Sequence, residues 1–204
     1  MDRLSAPFVF VFYLIIVGLA FVLGNSLAGL DVLIWHDDND TSVAFDALLG
    51  VGVGVVVVAL SQVLDRTTRW ARVLTDEFSK LLGSLSVTQA FIFAAASGIA
   101  EEIFFRGFLQ QLLSVHVFSG ASAPFLGLIV ASLIFGGLHL GPDFKRFWPW
   151  MAMAIVLGGV FGWMYLYTGN VLAPIVAHFT TNFFNLLFMS PQPVTSAVEL
   201  ADEE

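Results

Sequence analysis

The stretch GIAEEIFFRG, residues 98 to 107, carries two adjacent carboxylates, Glu101 and Glu102, and a lone Arg106. It lies inside an apolar segment from about 87 to 113, longer than the roughly 20 residues that cross the hydrocarbon core of a bilayer. Three charges in such a span cost on the order of 3 kcal/mol each on insertion scales, roughly 9 before pairing. Groups that expensive face a bundle interior or a water-filled cavity, so the segment implies other helices around it. Helical spacing then divides the charges. Glu102 and Arg106, four residues apart, share a face, while Glu101 is turned about 100° away. Glu102 is expected to pair with Arg106 and to leave Glu101 free as a general base for water.

The rest of the chain agrees with a membrane setting. Of its 204 residues 58% are hydrophobic and 21 are Phe, with a mean hydropathy of +0.88, whereas soluble domains run nearer 45–50% apolar. Apolar segments at about 7–29, 43–64, 87–113, 123–140, 147–168 and 171–189 predict an all-α, polytopic transmembrane helix bundle of about six spans. The first segment has no clear small-residue cleavage site after it and outruns a signal-peptide core, so it reads as a retained helix. Positive charge sets the orientation. With both termini cytoplasmic, Arg3, Arg66, Arg69, Arg72, Lys80, Lys145 and Arg146 all fall on the inner side, and the eighth basic residue is Arg106. A single domain is expected, in which residues 1–88 form two spans and a basic interfacial segment, 89–190 a catalytic core of four spans, and 191–204 an acidic tail. Within 65–88, Trp70, Val73, Leu74, Phe78, Leu81 and Leu82 recur at helix-like spacing, which suits either an interfacial helix or a solvated connector. The expected location is the plasma (inner) membrane, with membrane lipid as the surroundings.

Composition also excludes chemistry. The net charge of −8 includes the acidic stretches HDDND (36–40) and ELADEE (199–204), and no basic surface for nucleic acid exists. The chain has no Cys, which removes disulfides, thiolate metal sites and a cysteine nucleophile. Reactivity has to come from Glu, His, Asp, Ser or Asn. His139 closes the fourth segment in SLIFGGLHLG, with Phe135 one turn before it; His178, in APIVAHFTTNFF, shares a helix face with Asn182. One such histidine alone would be read as structural. Polar groups on three separate helices, one of them bearing an intramembrane Glu pair, point instead to a shared cavity. His36 is read as part of a solvated loop and His116 as interfacial. GVGVG (50–54) and GGVFG (158–162) are read as small-residue helix packing, and Trp148 and Trp150 beside Lys145 and Arg146 as an interfacial belt.

The patterns EExxxR (Glu101, Glu102, Arg106), FxxxH (Phe135, His139) and HxxxN (His178, Asn182), in this order on successive spans, resemble the intramembrane proteases that group CaaX prenyl endopeptidases with bacteriocin-processing, abortive-infection-type proteins. The resemblance covers about residues 90 to 190. It implies hydrolysis of a peptide bond near the membrane by an activated water: Glu101 and His139 hold and deprotonate the water, His178 and Asn182 stabilise the oxyanion, and Glu102, Arg106 and Phe135 support them. It also implies a membrane-associated peptide or a prenylated protein as substrate. The family is commonly called a metalloprotease, and Glu101, His139 and His178 would supply three ligands to a zinc ion with a fourth position open to water. Asn182 suits that picture less well, since carboxamides are uncommon zinc ligands, and metal dependence stays open at this point.

Two other readings compete. A proton-coupled transporter would use the same Glu and His groups as a relay, but spans one to three show no convincing repeat in spans four to six. A serine intramembrane protease would use Ser97 in AAASGIA, where Ala95 stands in place of the glycine expected two residues before such a nucleophile. One geometric demand follows from six equal spans. Straight helices place Glu101 at mid-membrane, His139 near the inner end of its span and His178 nearer the outer end, so tilt, shorter spans, or kinks at Gly136, Gly137, Pro142 or Pro174 are needed to bring them together.

Overall fold

The computed structural model describes residues 6–35 and 41–189. Arg3, the loop HDDND with its His36, and the acidic tail lie outside the described residues. Seven helices follow one another: α1 (Ala6–Phe21), extended by wider π-helical turns at Val22–Ala28; α2 (Val43–Thr67); α3 (Arg69–Leu82); α4 (Val87–Glu102), extended by π-helical turns at Ile103–Gln110 and Leu113–Val117; α5 (Ala123–Gly137); α6 (Phe144–Thr168); and α7 (Leu172–Met189). The chain is all-helical, as its hydropathy predicts; the extended pairing among the described residues is an isolated bridge between Ile34 and Asn170.

Local sequence explains where the helices begin and end. Ser42 and Thr68 cap α2 and α3 by accepting from the backbone N–H groups of Phe45 and Ala71. Ser86 opens α4 with a capping box, its hydroxyl accepting from Gln89 N–H while the Gln89 side chain accepts from Ser86 N–H. At the end of α6, Gly169 adopts φ 70°, a left-handed conformation that costs glycine nothing, and turns the chain into α7. Pro174 lies in the first turn of α7, where a missing N–H is harmless. It does not supply the kink that equal spans would have required.

Among the described residues five helical stretches are long and apolar enough to cross a membrane: Val9–Ala28, Val43–Thr67, Val87–Val117, Phe144–Thr168 and Leu172–Met189. The expectation of six comparable spans is corrected at the fourth, since α5 has 15 residues and is about 22 Å long, short of a core about 30 Å thick. Segment 65–88 is resolved in favour of a helix. In α3, Ala71 and Leu74 are buried, and Phe78 meets Phe147 and Trp150 of α6 edge-on.

Helix α7 sits at the centre, packed against α2, α4 and α6, while α1 lies on α4 and α5 on α6. The two glycine-rich stretches work as expected. A Cβ on Gly50 would meet Val176 and the Ala173 carbonyl, and one on Gly54 would meet Thr180 at 2.6 Å, so α2 and α7 touch backbone to backbone. Gly158 and Gly162 bring α6 equally close to Ser132 and Phe135 and to Leu128 and Gln110. This packing determines the depths of the polar groups. Gly120, in the turn between the α4 extension and α5, lies midway in sequence between Glu101 and His139. The two therefore end at one level of an antiparallel hairpin, and the tension over their depths disappears without a kink.

Candidate active site

A cavity of about 550 Å³ opens between the helices, and Glu101, His139, His178, Asn182, Ser97 and Phe135 all line it. Glu101, His139, His178 and Asn182 come from α4, the turn after α5, and α7, and Ser61, Gln89 and Asn185 add further polar groups to the lining. Elsewhere the wall is mostly apolar, with Val57, Phe78, Leu81, Leu157, Leu186 and Met189 among its residues.

The carboxylates divide as their spacing predicts, with one addition. Glu102 is fully buried and accepts from Arg106 Nη1 at 3.0 Å. Arg106, 1% exposed, also donates to the Gly158 carbonyl at 3.0 Å and lies over the Phe135 ring, 4.7 Å from its centroid. The same Glu102 Oε1 receives a second, cross-helix hydrogen bond of 2.7 Å from His178 Nδ1. A carboxylate already ion-paired to a guanidinium has no proton to give, so Nδ1 carries the hydrogen. His139 is anchored in the same manner. Its Nδ1 lies 2.7 Å from the Phe135 carbonyl, which can accept but not donate. In both imidazoles Nε2 is thus left to face the cavity, with a lone pair in the neutral form.

Glu101 is the point on which these atoms converge. Its Oε2 is buried without a hydrogen-bond partner and lies 3.8 Å from His139 Nε2 and 3.9 Å from His178 Nε2. Each of those separations is too long for a direct hydrogen bond and is one that a single bridging water spans. The other oxygen, Oε1, accepts from the Tyr13 hydroxyl at 2.8 Å. Asn182 lies one turn from His178 on α7 and uses one N–H on Ser97 Oγ at 2.9 Å. Ser97 in turn donates to the Ala94 carbonyl at 3.3 Å. Among the described residues no histidine hydrogen-bonds Ser97, so the activated serine pair of the alternative reading is not formed.

As ligands, two imidazole Nε2 atoms held by hydrogen bonds at Nδ1, together with a carboxylate, are the types that suit zinc. Their spacing does not. Bonds of about 2.0–2.1 Å require ligand atoms roughly 3.3 Å apart in a tetrahedron, and among the described residues no group of three His, Cys, Asp or Glu is set to hold a metal ion.

Three residues that touch these groups directly had no place in the expected site. Tyr13 sits in the first span, which carried no recognised motif. Trp150, expected in an interfacial belt beside Lys145 and Arg146, also lines the cavity, edge-on to His139 with ring centroids 5.6 Å apart; Trp148 is exposed. Phe161 stacks on His178 at 5.3 Å. His116 meets the Ala28 carbonyl at 3.0 Å, well away from these groups in the chain's other loop region.

The model of the Rce1-like type II CAAX prenyl endopeptidases matches residues 83–184, half of the chain. The chain belongs to this family. The matched region holds Glu101, Glu102, Arg106, Phe135, His139, His178 and Asn182, and it excludes α1, α2 and α3. A curated protein, the uncharacterized YpbD of Bacillus subtilis (strain 168), is 29% identical over 153 residues, covering 73% of this chain and 70% of its own. No solved structure matches. At the level of the family, an Rce1-like protein is a CAAX-type intramembrane protease: a hydrolase in a lipid environment that acts on peptide. The apolar helices agree with an integral, multi-pass membrane protein.

Proposed function

We propose that this Rce1-like protein cleaves a peptide bond of a membrane-associated substrate, a prenylated protein or a lipid-anchored peptide precursor, with a water activated by Glu101 and His139. The observation that carries the reading is the convergence of Glu101 Oε2 with two imidazole Nε2 atoms at 3.8 and 3.9 Å. A water between them donates one hydrogen to Glu101 and the other to the His139 lone pair, leaving its own oxygen lone pair for the substrate carbonyl carbon. Attack moves one proton to Glu101 and the carbonyl π electrons to oxygen. As the C–N bond breaks, Glu101 returns that proton to the leaving nitrogen.

Asn182 N–H and His178 serve the oxyanion. His178 can do so in one form alone, because Nδ1–H is engaged by Glu102: an Nε2–H exists once the ring is doubly protonated. Glu102 and Arg106 hold the face on which the reacting groups sit, and Phe135 covers the guanidinium. Water, and not a zinc ion, suits the 3.8 and 3.9 Å separations of these groups, and the reaction proceeds without a metal. Residues 89–190 act as the catalytic core and the spans before it as supports, in a plasma membrane with both termini cytoplasmic.

The test is cleavage of a fluorescence-quenched, farnesylated CaaX peptide by the purified protein, with wild type and Glu101→Gln compared before and after dialysis against a chelator. Cleavage by wild type, its loss in Glu101→Gln, and survival of the chelator are expected. A rate lost on dialysis and restored by zinc would overturn the metal-free mechanism; full activity in Glu101→Gln would overturn the assignment of the base.

A further inference from the structure

Tyr13 touches the proposed base directly, yet it lies outside the region shared with the family model. Resting on the function proposed above, we infer that Tyr13 is a positioning residue for Glu101, through which the first span completes the catalytic apparatus. Four observations lead there. The hydroxyl donates to Glu101 Oε1 at 2.8 Å across 88 residues of sequence. Tyr13 is the one polar side chain in APFVFVFYLIIVGLAF, the whole of α1. It occupies the shielded face of that helix, in register with Ile16, Val17 and Ala20, while Phe12, Leu14 and Ile15 are exposed. The same face is clamped further along, where Ala20 and Val17 pack with Ile103 and Phe108 of the α4 extension.

The chemistry of that contact is specific. A carboxylate on a helix has several rotamers, and in a cavity of this size Glu101 could swing away from the histidines. The phenol fixes one oxygen by a charge-assisted hydrogen bond and leaves the other, Oε2, with its lone pairs toward the two Nε2 atoms. A phenol is an apt donor here, because it is neutral and brings no counter-charge that would compete with Arg106 or with an imidazolium. The ring also lines the cavity, so a role in binding substrate has to be separated from a role in aiming the base.

Kinetics on Tyr13→Phe makes the separation, because the variant keeps the ring and its packing and removes a single oxygen. With a substrate cleaved by wild type, kcat is expected to fall roughly ten- to hundredfold, the range for losing a hydrogen bond to a charged group, with KM changed less than about threefold. Unaltered kcat overturns the inference while the protease reading stands, and so does a raised KM with kcat intact, which would make Tyr13 a substrate contact. A second readout needs no turnover. The ¹³Cζ resonance of Tyr13, identified by its absence in Tyr13→Phe, is expected to move in Glu101→Leu, where the acceptor is gone. An unmoved resonance overturns the inference whether or not any peptide is cut, whereas failure of the wild type on every peptide tried, with a resonance that does move, counts against the proposed reaction and leaves the contact in place.

Discussion

Glu101 and Glu102 are neighbours with opposite demands on their surroundings, and their variants should fail in opposite ways. Glu102 is fully buried between Arg106 and His178. Glu102→Gln leaves a buried guanidinium without its counter-charge, and removing one partner of a buried ion pair costs about 3–5 kcal/mol. Thermal unfolding in detergent is expected to show that loss, with activity falling because the fold and the His178 anchor fail together. Glu101→Gln keeps the Tyr13 contact possible and unbalances no ion pair, so the melting temperature should stay within a few degrees while cleavage falls at least about a hundredfold, the lower end of general-base contributions. Part of this was legible beforehand. The Glu102–Arg106 pairing and the shared face of His178 and Asn182 follow from four-residue spacing on a single helix. The Tyr13 hydroxyl and the His178–Glu102 bond join residues 88 and 76 positions apart, and no local spacing reports on those. A signal for Tyr13 did exist, the one hydroxyl in the otherwise wholly apolar stretch Ala6–Phe21.

At the scale of helices, the arrangement hangs on α7, which carries His178 and Asn182 and is held against α2 by glycine. Gly54 and Gly52 give a controlled comparison. A side chain at Gly54 would strike Thr180 at 2.6 Å and the Ala177 carbonyl at 3.0 Å, the latter next to His178, whereas Gly52 has nothing within 4 Å. Gly54→Leu is expected to push α2 off α7, lowering both the melting temperature and kcat; Gly52→Leu should leave both near wild type. Equal loss in the two variants would mean that added bulk anywhere on α2, and not the close contact with α7, is what matters, since Gly→Leu by itself favours the helix. The composition of GVGVG pointed to such packing, but which glycine touches and which faces outward depends on how α2 is rotated, and that is decided by its partner. The depth of His139 was missed for a related reason. Six spans drawn alike fix depth from each span's own ends, while in the folded hairpin depth is counted from the turn at Gly120.

For the molecule as a whole, distribution of Lys and Arg predicts which side each loop faces, and the absence of Cys makes this simple to test. Asp143→Cys, in the exposed turn before α6, is expected to react with a membrane-impermeant maleimide only after cells are opened, and Asp31→Cys, in the turn after α1, in intact cells. The reverse labelling would invert the topology. That the fold is an all-helical bundle was readable from hydropathy alone, since lipid admits few other solutions for a chain this apolar. How the seven described helices, two of them short, arrange themselves around one cavity was not, because lipid-facing and neighbour-facing residues are equally apolar and leave no stripe to read.

The short α5 has one more consequence. At 15 residues it cannot match the thickness its neighbours impose, and the lipid beside it must thin, or polar headgroups and water must descend, by several ångströms. His139 lies just past its end, so the dent would form next to the reactive groups. Acyl-chain length in the host bilayer then becomes a control on the enzyme: reconstituted into thin vesicles the protein should turn over faster than in thick ones, and a rate indifferent to chain length would mean that the neighbouring helices, not lipid, fill the gap.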